Sequence, residues 1–479
     1  MSIRKVGRNL PSDLSRRHFL ALGGGVAVAS TLAACSAGAE GGTPAAGKDL
    51  RSAIRGRILL PGDEGFDLAA RPWNSTIDQS VRAVAHIADA DDAAALVRYA
   101  HSAGMSLAVQ PIGHGASGAA EGTILVRTDQ LDQLRIDAGA RSARVGAGVS
   151  WNAVQAASAA ANLTGAPGSS SAVSVAGYTL GGGLSWFGRK YGWAADNVKA
   201  FDVIDAQGRR LRATADTEAD LYWALRGGGG DFALVTAIEL ELHPAPTLYG
   251  GRMLWPVQRA PEVLAAFRSV TGQAPNELTV WFSLFQFPKA PPMVGIDATY
   301  LGDAAEGSRL LRQFDDIGGR VSDTRSTMAF TALDSITTEP STPTPSRHRA
   351  AFLADLDDAA VGKLLAEPVA PLLSVQIRHL GGALAEPSDS PASAISERYY
   401  IGFLGIQTKP DDAAAIQARS QKYLDALGPE LIGRTPFTML TPGQTARDAF
   451  SHDIIDRLRE IKRARDPHGL FRSNYQVLD

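Results

Sequence analysis

Residues 109 to 120 read VQPIGHGASGAA, a loop that fits the pattern G-x-G-x-x-G yet has strand-forming sequence on both sides. That flanking limits the fold more than any other feature. Upstream, SVRAVAHIADADDAAALVRYAHSAGMSLAV predicts a strand, a helix opened by Asp89 or Asp91, a turn at Gly104 and a strand running into the loop. Downstream, EGTILVRTDQL is β-branched and strand-like. A dinucleotide turn of the doubly wound kind needs a helix at that point, whose first amides hold the pyrophosphate. Here a second strand follows, then the strand pair LRID and SARVGAG, and only after Ser150 a helix. The pattern is therefore not a Rossmann fingerprint, and His114 between its first two glycines is the residue to explain.

Two further clusters concentrate glycine. Residues 165–198, GAPGSSSAVSVAGYTLGGGLSWFGRKYGWAADNV, are followed by a strand-turn-strand with its turn at Gln207-Gly208. Gly227 to Gly230 then stand between a helix and a long amphipathic strand. Runs of glycine let successive N–H groups face one concavity and coordinate an anion such as a pyrophosphate. For Gly181 to Gly183 taken alone, a packing turn is an equal reading.

With 479 residues, 45% of them hydrophobic, the chain has room for two to four domains on a roughly 100–200-residue domain scale. A net charge of −3 without a basic run argues against nucleic acid as a partner, and no metal site is expected. Residues 1–34 carry a basic segment, SRRHFL and a short apolar run, resembling a twin-arginine export signal on Arg16, Arg17, Phe19 and Leu20. The run ends in Leu32-Ala33-Ala34-Cys35, similar to a lipobox, and Cys35 is the only cysteine. Lipidation there would anchor the protein to the outer face of a bacterial membrane through two acyl chains, a stable attachment. Residues 35–49 are small and polar, a tether.

Taken together, these residues resemble the vanillyl-alcohol-oxidase, or PCMH-type, FAD-binding fold and, within it, the berberine-bridge-enzyme-like oxidoreductases. The similarity spans about residues 50–245 and returns at the C-terminus. It implies an α+β chain with an FAD-binding domain (50–245), a substrate domain with a mainly antiparallel sheet covered by helices (246–436) and a C-terminal segment (437–479) returning to the FAD domain. It also implies that Gly113-His114 is the pair whose histidine is bonded to the flavin 8α-methyl. The family's L-G-G-G falls on Leu180, Gly181, Gly182 and Gly183; Y-G-x-x-x-D-N on Tyr191, Gly192, Asp196 and Asn197; W-A-L-R-G-G-G on Trp223 to Gly229; D-P-x-x-x-F-R-x-N on Asp466 to Asn474. By the same resemblance the FAD contacts extend to Gln110, Pro111, Ile112, Gly115, Ser117 and Gly118, and to Gly168, Ser169, Ser174, Val175, Gly177 and Tyr178. Val198, Gly228, Gly229, Asp231, Phe232 and Asn474 complete the set. Many members add a cysteine link, but here Ser170 occupies that position, so a single covalent bond is expected. Gln110-Pro111-Ile112 and Asp231 are further departures. Val173 stands where the resemblance places a residue gating oxygen, valine accompanying oxidases and leucine dehydrogenases.

In the middle of the chain, ELTVWFSLFQF, MVGIDATYL, LLSVQIRHLGGAL and RYYIGFLGIQT predict four strands. STPTPSRHR predicts a mobile Pro/Ser loop, and the chain returns near Arg434. A flavin accepting hydride from an alcohol, sugar or amine carbon needs a neighbouring base for the O–H or N–H proton. Candidates are Tyr400 first, then His379, Arg378, Gln376 and Tyr399, with alternation placing Gln376 and Arg378 on one face and His379 on the other. Core packing is the competing reading for either tyrosine. Dioxygen is the expected acceptor, a quinone-type acceptor the alternative. A solute-binding lipoprotein and a non-catalytic flavoprotein stay open at this stage.

Overall fold

Four short strands, β1 (Arg57–Leu59), β2 (Ala83–His86), β3 (Leu107–Val109) and β4 (Ile124–Arg127), open the computed structural model, which describes residues 50–479. They form one sheet in the order β1-β2-β4-β3, with β2 and β3 both parallel to β4. A parallel pair needs a crossover, and the helix Ala90–Ala103 supplies it. The Asp89 carboxylate caps that helix by accepting from the N–H groups of Asp91 and Asp92, and Gly104 ends it at φ 62. One face, with Ala93, Leu96, Val97 and Ala100, is buried in the core. The export signal, Cys35 and the tether lie outside the described residues.

The second sheet holds β5 (Leu134–Asp137), β6 (Ser142–Gly146), β7 (Val198–Ile204), β8 (Arg210–Ala213) and β9 (Leu234–Glu241), antiparallel in the order β5-β6-β9-β7-β8. The sequence predicts an amphipathic β9. The strand is instead buried over nearly its whole length, because it is the central strand of this sheet.

The third sheet contains β10 (Leu248–Pro256), β11 (Leu278–Phe285), β12 (Met293–Leu301), β13 (Ser346–Leu353), β14 (Ser374–His379) and β15 (Tyr399–Ile406). Their order is β10-β12-β11-β14-β15-β13, every pair antiparallel, with short edge pieces beyond β10 and β13. Four of the six were predicted. The predicted mobile loop STPTPSRHR is corrected: Ser346 to Arg349 begin β13 and pair with β15, while the Asn74–Thr344 bridge fixes the preceding residues. Helices Ala260–Thr271, Asp358–Leu365 and Asp412–Leu427 pack on one face around Phe267, Phe282, Ile377, Ile401 and Phe403. The other face, with Trp281 and Tyr400, meets Trp186, Leu184 and Trp193 of the glycine-rich half.

The C-terminal helix His452–Arg465 returns to the first two sheets. Lys462 Nζ donates to the carbonyls of Asp231 and Phe471 and to the Asp466 carboxylate, and backbone bonds then join Leu107 of β3 to Leu470 and Arg472. The tail is thereby laid beside the strand that feeds the histidine loop.

Candidate active site

Arg127, on β4, organises the approach to His114. Its buried guanidinium donates to the carbonyls of Ala69, Arg71 and Gln110, tying together two chain segments far apart in sequence. One segment delivers Trp73 and the other delivers His114, and their rings stack with centroids 4.3 Å apart. Gly113 takes φ 88, a conformation that favours glycine, and a Cβ there would lie 3.0 Å from Pro72. Neither imidazole nitrogen of His114 has a hydrogen-bond partner among the described residues, and burial lowers its pKa to about 4. The imidazole is therefore neutral at pH 7, with a lone pair available. His86, His101 and His243, read as structural from the sequence, are engaged by Asp129, by His468 and by Asn197 with Tyr191.

The tail braces this loop from the other side. Ser117 Oγ donates to the Asn474 carbonyl, and Gln110 Nε2 donates to Asn474 Oδ1 at 2.9 Å.

Whether the loops fit a dinucleotide depends on their donors. Among the described residues, the N–H groups of Gly113, His114, Gly115, Ser117 and Gly118 meet no acceptor, nor do those from Gly168 through Val173. Two runs of unanswered amides match the donor set a pyrophosphate requires. Ser169 and Ser170 add hydroxyls, and the loop is anchored at its far end where Val173 and Val149 exchange bonds with Trp151 and Val175. These residues fit FAD.

Other residues of the expected FAD set commit their side chains to the fold. The Asp231 carboxylate is fully buried and accepts from the N–H groups of Ser473 and Val477, clamping the tail. Asn197 spends its amide on the carbonyls of Tyr191 and Trp193, and Asp196 accepts from Trp193 N and from Ser388 and Ser390. Tyr191 stacks on His243, and Val175, Val198 and Phe232 are core residues. A Cβ on Gly228 would sit 2.4 Å from the Ala224 carbonyl, and one on Gly229 would sit 2.9 Å from Phe437. These glycines permit close packing of protein on protein.

Opposite stands the face of the third sheet that the helices leave uncovered. Register aligns Arg252, Asp297, Trp281, Arg378, Tyr400 and Phe352 across six strands. The Arg378 guanidinium lies 4.0 Å from the Trp281 ring and 5.3 Å from Tyr400, and its Nε donates to Gln376 Oε1 at 2.7 Å. Gly402, two residues after Tyr400, has no side chain: a Cβ there would meet the Tyr400 hydroxyl at 2.6 Å. The phenol therefore lies along its own strand and reaches His348 Nε2 at 3.1 Å. Burial, with Arg378 and Arg349 nearby, lowers the His348 pKa to about 4. Burial raises that of Tyr400, which Arg378 opposes.

His348 was missed in the sequence because it sat in the supposed loop; the alternation of SRHRAAFL was the available signal. Two other base candidates have partners of their own. His379 points to the other side of β14, where its Nε2 accepts from Arg189 Nη1 at 3.1 Å and burial brings its pKa to about 2. Tyr399 is in the helix-covered core, bonded to Thr271. The walls meet where Trp186 stacks on Trp281 at 3.5 Å, and Tyr178, whose pKa burial raises, feels the charge of Arg378.

Residues 81–214 match the FAD binding domain family. Over 460 residues the chain is 26% identical to (R)-6-hydroxynicotine oxidase of Paenarthrobacter nicotinovorans, covering 88% of this chain and 97% of that protein. The crystal structure of 6-hydroxy-D-nicotine oxidase from Arthrobacter nicotinovorans gives a TM-score of 0.78 at 21% identity, over 88% of this chain and 98% of that one. Phl p 4.0202, a glucose dehydrogenase, and an isoleucine-to-valine variant of Phl p 4 that is a glucose oxidase give 0.78 and 0.77, each at 19% identity over 90% of this chain and 99% of theirs. The architecture is thus the α+β, PCMH-type FAD-binding fold. The chain is an FAD-linked oxidoreductase.

Proposed function

We propose that this protein is an oxidase of the berberine-bridge-enzyme-like kind, carrying FAD on a single bond to His114 and oxidising an alcohol, sugar or amine carbon. The observation that carries the attachment is the His114 imidazole itself, neutral, free of hydrogen bonds and held against Trp73 beside two loops of unanswered amides. FAD, when bound, supplies the hydride acceptor at flavin N5 and passes the electrons on to dioxygen, giving hydrogen peroxide. The chain's own part is the proton. Tyr400 donates its hydroxyl proton toward His348 Nε2 and takes the substrate O–H or N–H proton on its oxygen, with the Arg378 charge favouring the developing phenolate.

Oxygen use is supported by Val173. The Phl p 4 pair differs by one isoleucine-to-valine exchange and by its name as glucose dehydrogenase or oxidase, so one aliphatic residue can decide this property. The proposed address is the outer face of a bacterial membrane, by twin-arginine export and lipid on Cys35. Release of Cys35→Ser protein from the membrane fraction is the expected outcome.

Acid precipitation of the pure protein tests the attachment. The yellow colour should stay in the pellet for wild type and pass to the supernatant for His114→Ala. A wild-type flavin released as completely as that of the variant overturns the covalent reading.

A further inference from the structure

Hydrogen-bond donors outnumber acceptors where the two walls meet. Apart from its Nε bond to Gln376, the Arg378 guanidinium has no hydrogen-bond or ion-pair partner among the described residues. Other arginines nearby are answered: Arg252 by Asp297, Arg226 by Asp389 and Asp196, Arg189 by four backbone carbonyls. Asp297 stands in the same cross-strand row, but Trp281 lies between it and Arg378, and both its oxygens are taken by Arg252. Two more buried polar atoms close by, Trp186 Nε1 and the Tyr178 hydroxyl, have no hydrogen-bond partner among the described residues. An indole N–H can only donate, and a guanidinium can only donate. Stacking on Trp281 also fixes the guanidinium plane before any ligand arrives.

We propose that Arg378 is a binding residue for a substrate carboxylate. The inference deepens the oxidase reading by naming the substrate class as an alcohol or amine that carries a carboxylate a few bonds from the carbon oxidised. The fork of two terminal guanidinium nitrogens matches the two oxygens of a planar carboxylate. A small pocket adjoins the group, lined by Leu184, Ser185, Thr279, Trp281, His379 and Leu384 as well as Arg378. Its leucine and tryptophan walls suit a small, weakly hydrated anion on an organic body better than a phosphate dianion.

Titration calorimetry on the purified holoenzyme, with benzoate and its neutral partner benzamide as probes, tests the assignment. Wild type should bind benzoate, Arg378→Met should weaken it on the order of 100-fold, Arg378→Lys should fall between, and benzamide should be unaffected by either change. Benzoate binding no tighter than benzamide, or unchanged in Arg378→Met, overturns the proposal. Inorganic phosphate competing on equal terms overturns the carboxylate class. Melting temperature and bound flavin are recorded for each variant, and if Arg378→Met does not fold, Arg378→Lys alone must show the selective loss. A colourless protein that still binds benzoate through Arg378 would overturn the flavin reading and leave this one standing.

Discussion

The two walls of the site are built from different material. The cofactor wall is backbone: two loops, 113–118 and 168–173, most of whose N–H groups have no acceptor among the described residues, with His114 as the one projecting ring. The substrate wall is side chain: Trp281, Arg378, Tyr400 and His348 on regular strands whose backbone is paired throughout. On the first wall, function depends on the path of the chain, so adding an atom is harmful. On the second it depends on particular atoms, so removing one is harmful.

The sharpest way to break this contrast is Tyr400→Phe. The ring packing in the cluster with Leu184, Trp193 and Phe352 survives, while the oxygen that meets His348 is lost. kcat should fall about 10²- to 10⁴-fold, the span of a general base, with flavin content unchanged. Steady-state kinetics beside the visible spectrum will show it, and a variant within about threefold of wild type would remove Tyr400 from the chemistry.

A pair of glycines sharpens the other side. Gly113→Ala puts a Cβ 3.0 Å from Pro72 at φ 88, so strain of about 1–3 kcal/mol is expected, with His114 displaced and covalent flavin lost. Gly115→Ala meets only Asn474 Nδ2 at 3.8 Å and should change stability by less than about 0.5 kcal/mol. Thermal melts and the acid-pellet assay together decide this; equal effects from both would mean that composition, not conformation, makes the loop.

The same contrast explains what could be read in advance. Backbone loops are local, so G-H-G, the serine run and the L-G-G-G segment announce themselves in consecutive letters. Their limit is that glycine serves two ends: the Cβ directions of Gly228 and Gly229 are filled by Ala224, Leu458 and Phe437, and consecutive letters do not say which glycines face a ligand. Asp231 and Asn197 show a related limit, since motif membership does not say whether a polar side chain faces a ligand or a group of the fold. On the substrate wall, residues 281, 348, 378 and 400 come together only through strand register, which periodicity does not specify. Tyr400 and Arg378 could be suspected as polar residues on apolar strands. His348 could be suspected only from the alternation of SRHRAAFL, which the prolines before it obscure, and Trp73 and Arg127 carried no motif at all.

The smallest expected effect concerns protons. Burial lowers the pKa of His114 and His348 to about 4 and that of His379 to about 2, against an ordinary value of 6.5. In each case the native state holds the imidazole neutral while the unfolded chain protonates it first. Above pH 6.5 neither state takes up the proton and these groups are silent. As the pH falls from 6.5 toward 4, the unfolded state gains protons that the native state refuses, so stability falls; below about 4 His114 and His348 protonate in the native state too, and their share of the loss stops growing. His348→Gln keeps a polar group beside Tyr400 but removes one of the three titrations. Its melting temperature should therefore fall less steeply than that of wild type between pH 6.5 and 4, and the two slopes should agree above pH 7. Parallel slopes across the acid window would mean that His348 protonates as readily in the native protein as in the unfolded chain, and burial would then no longer account for a neutral Nε2 acceptor beside Tyr400.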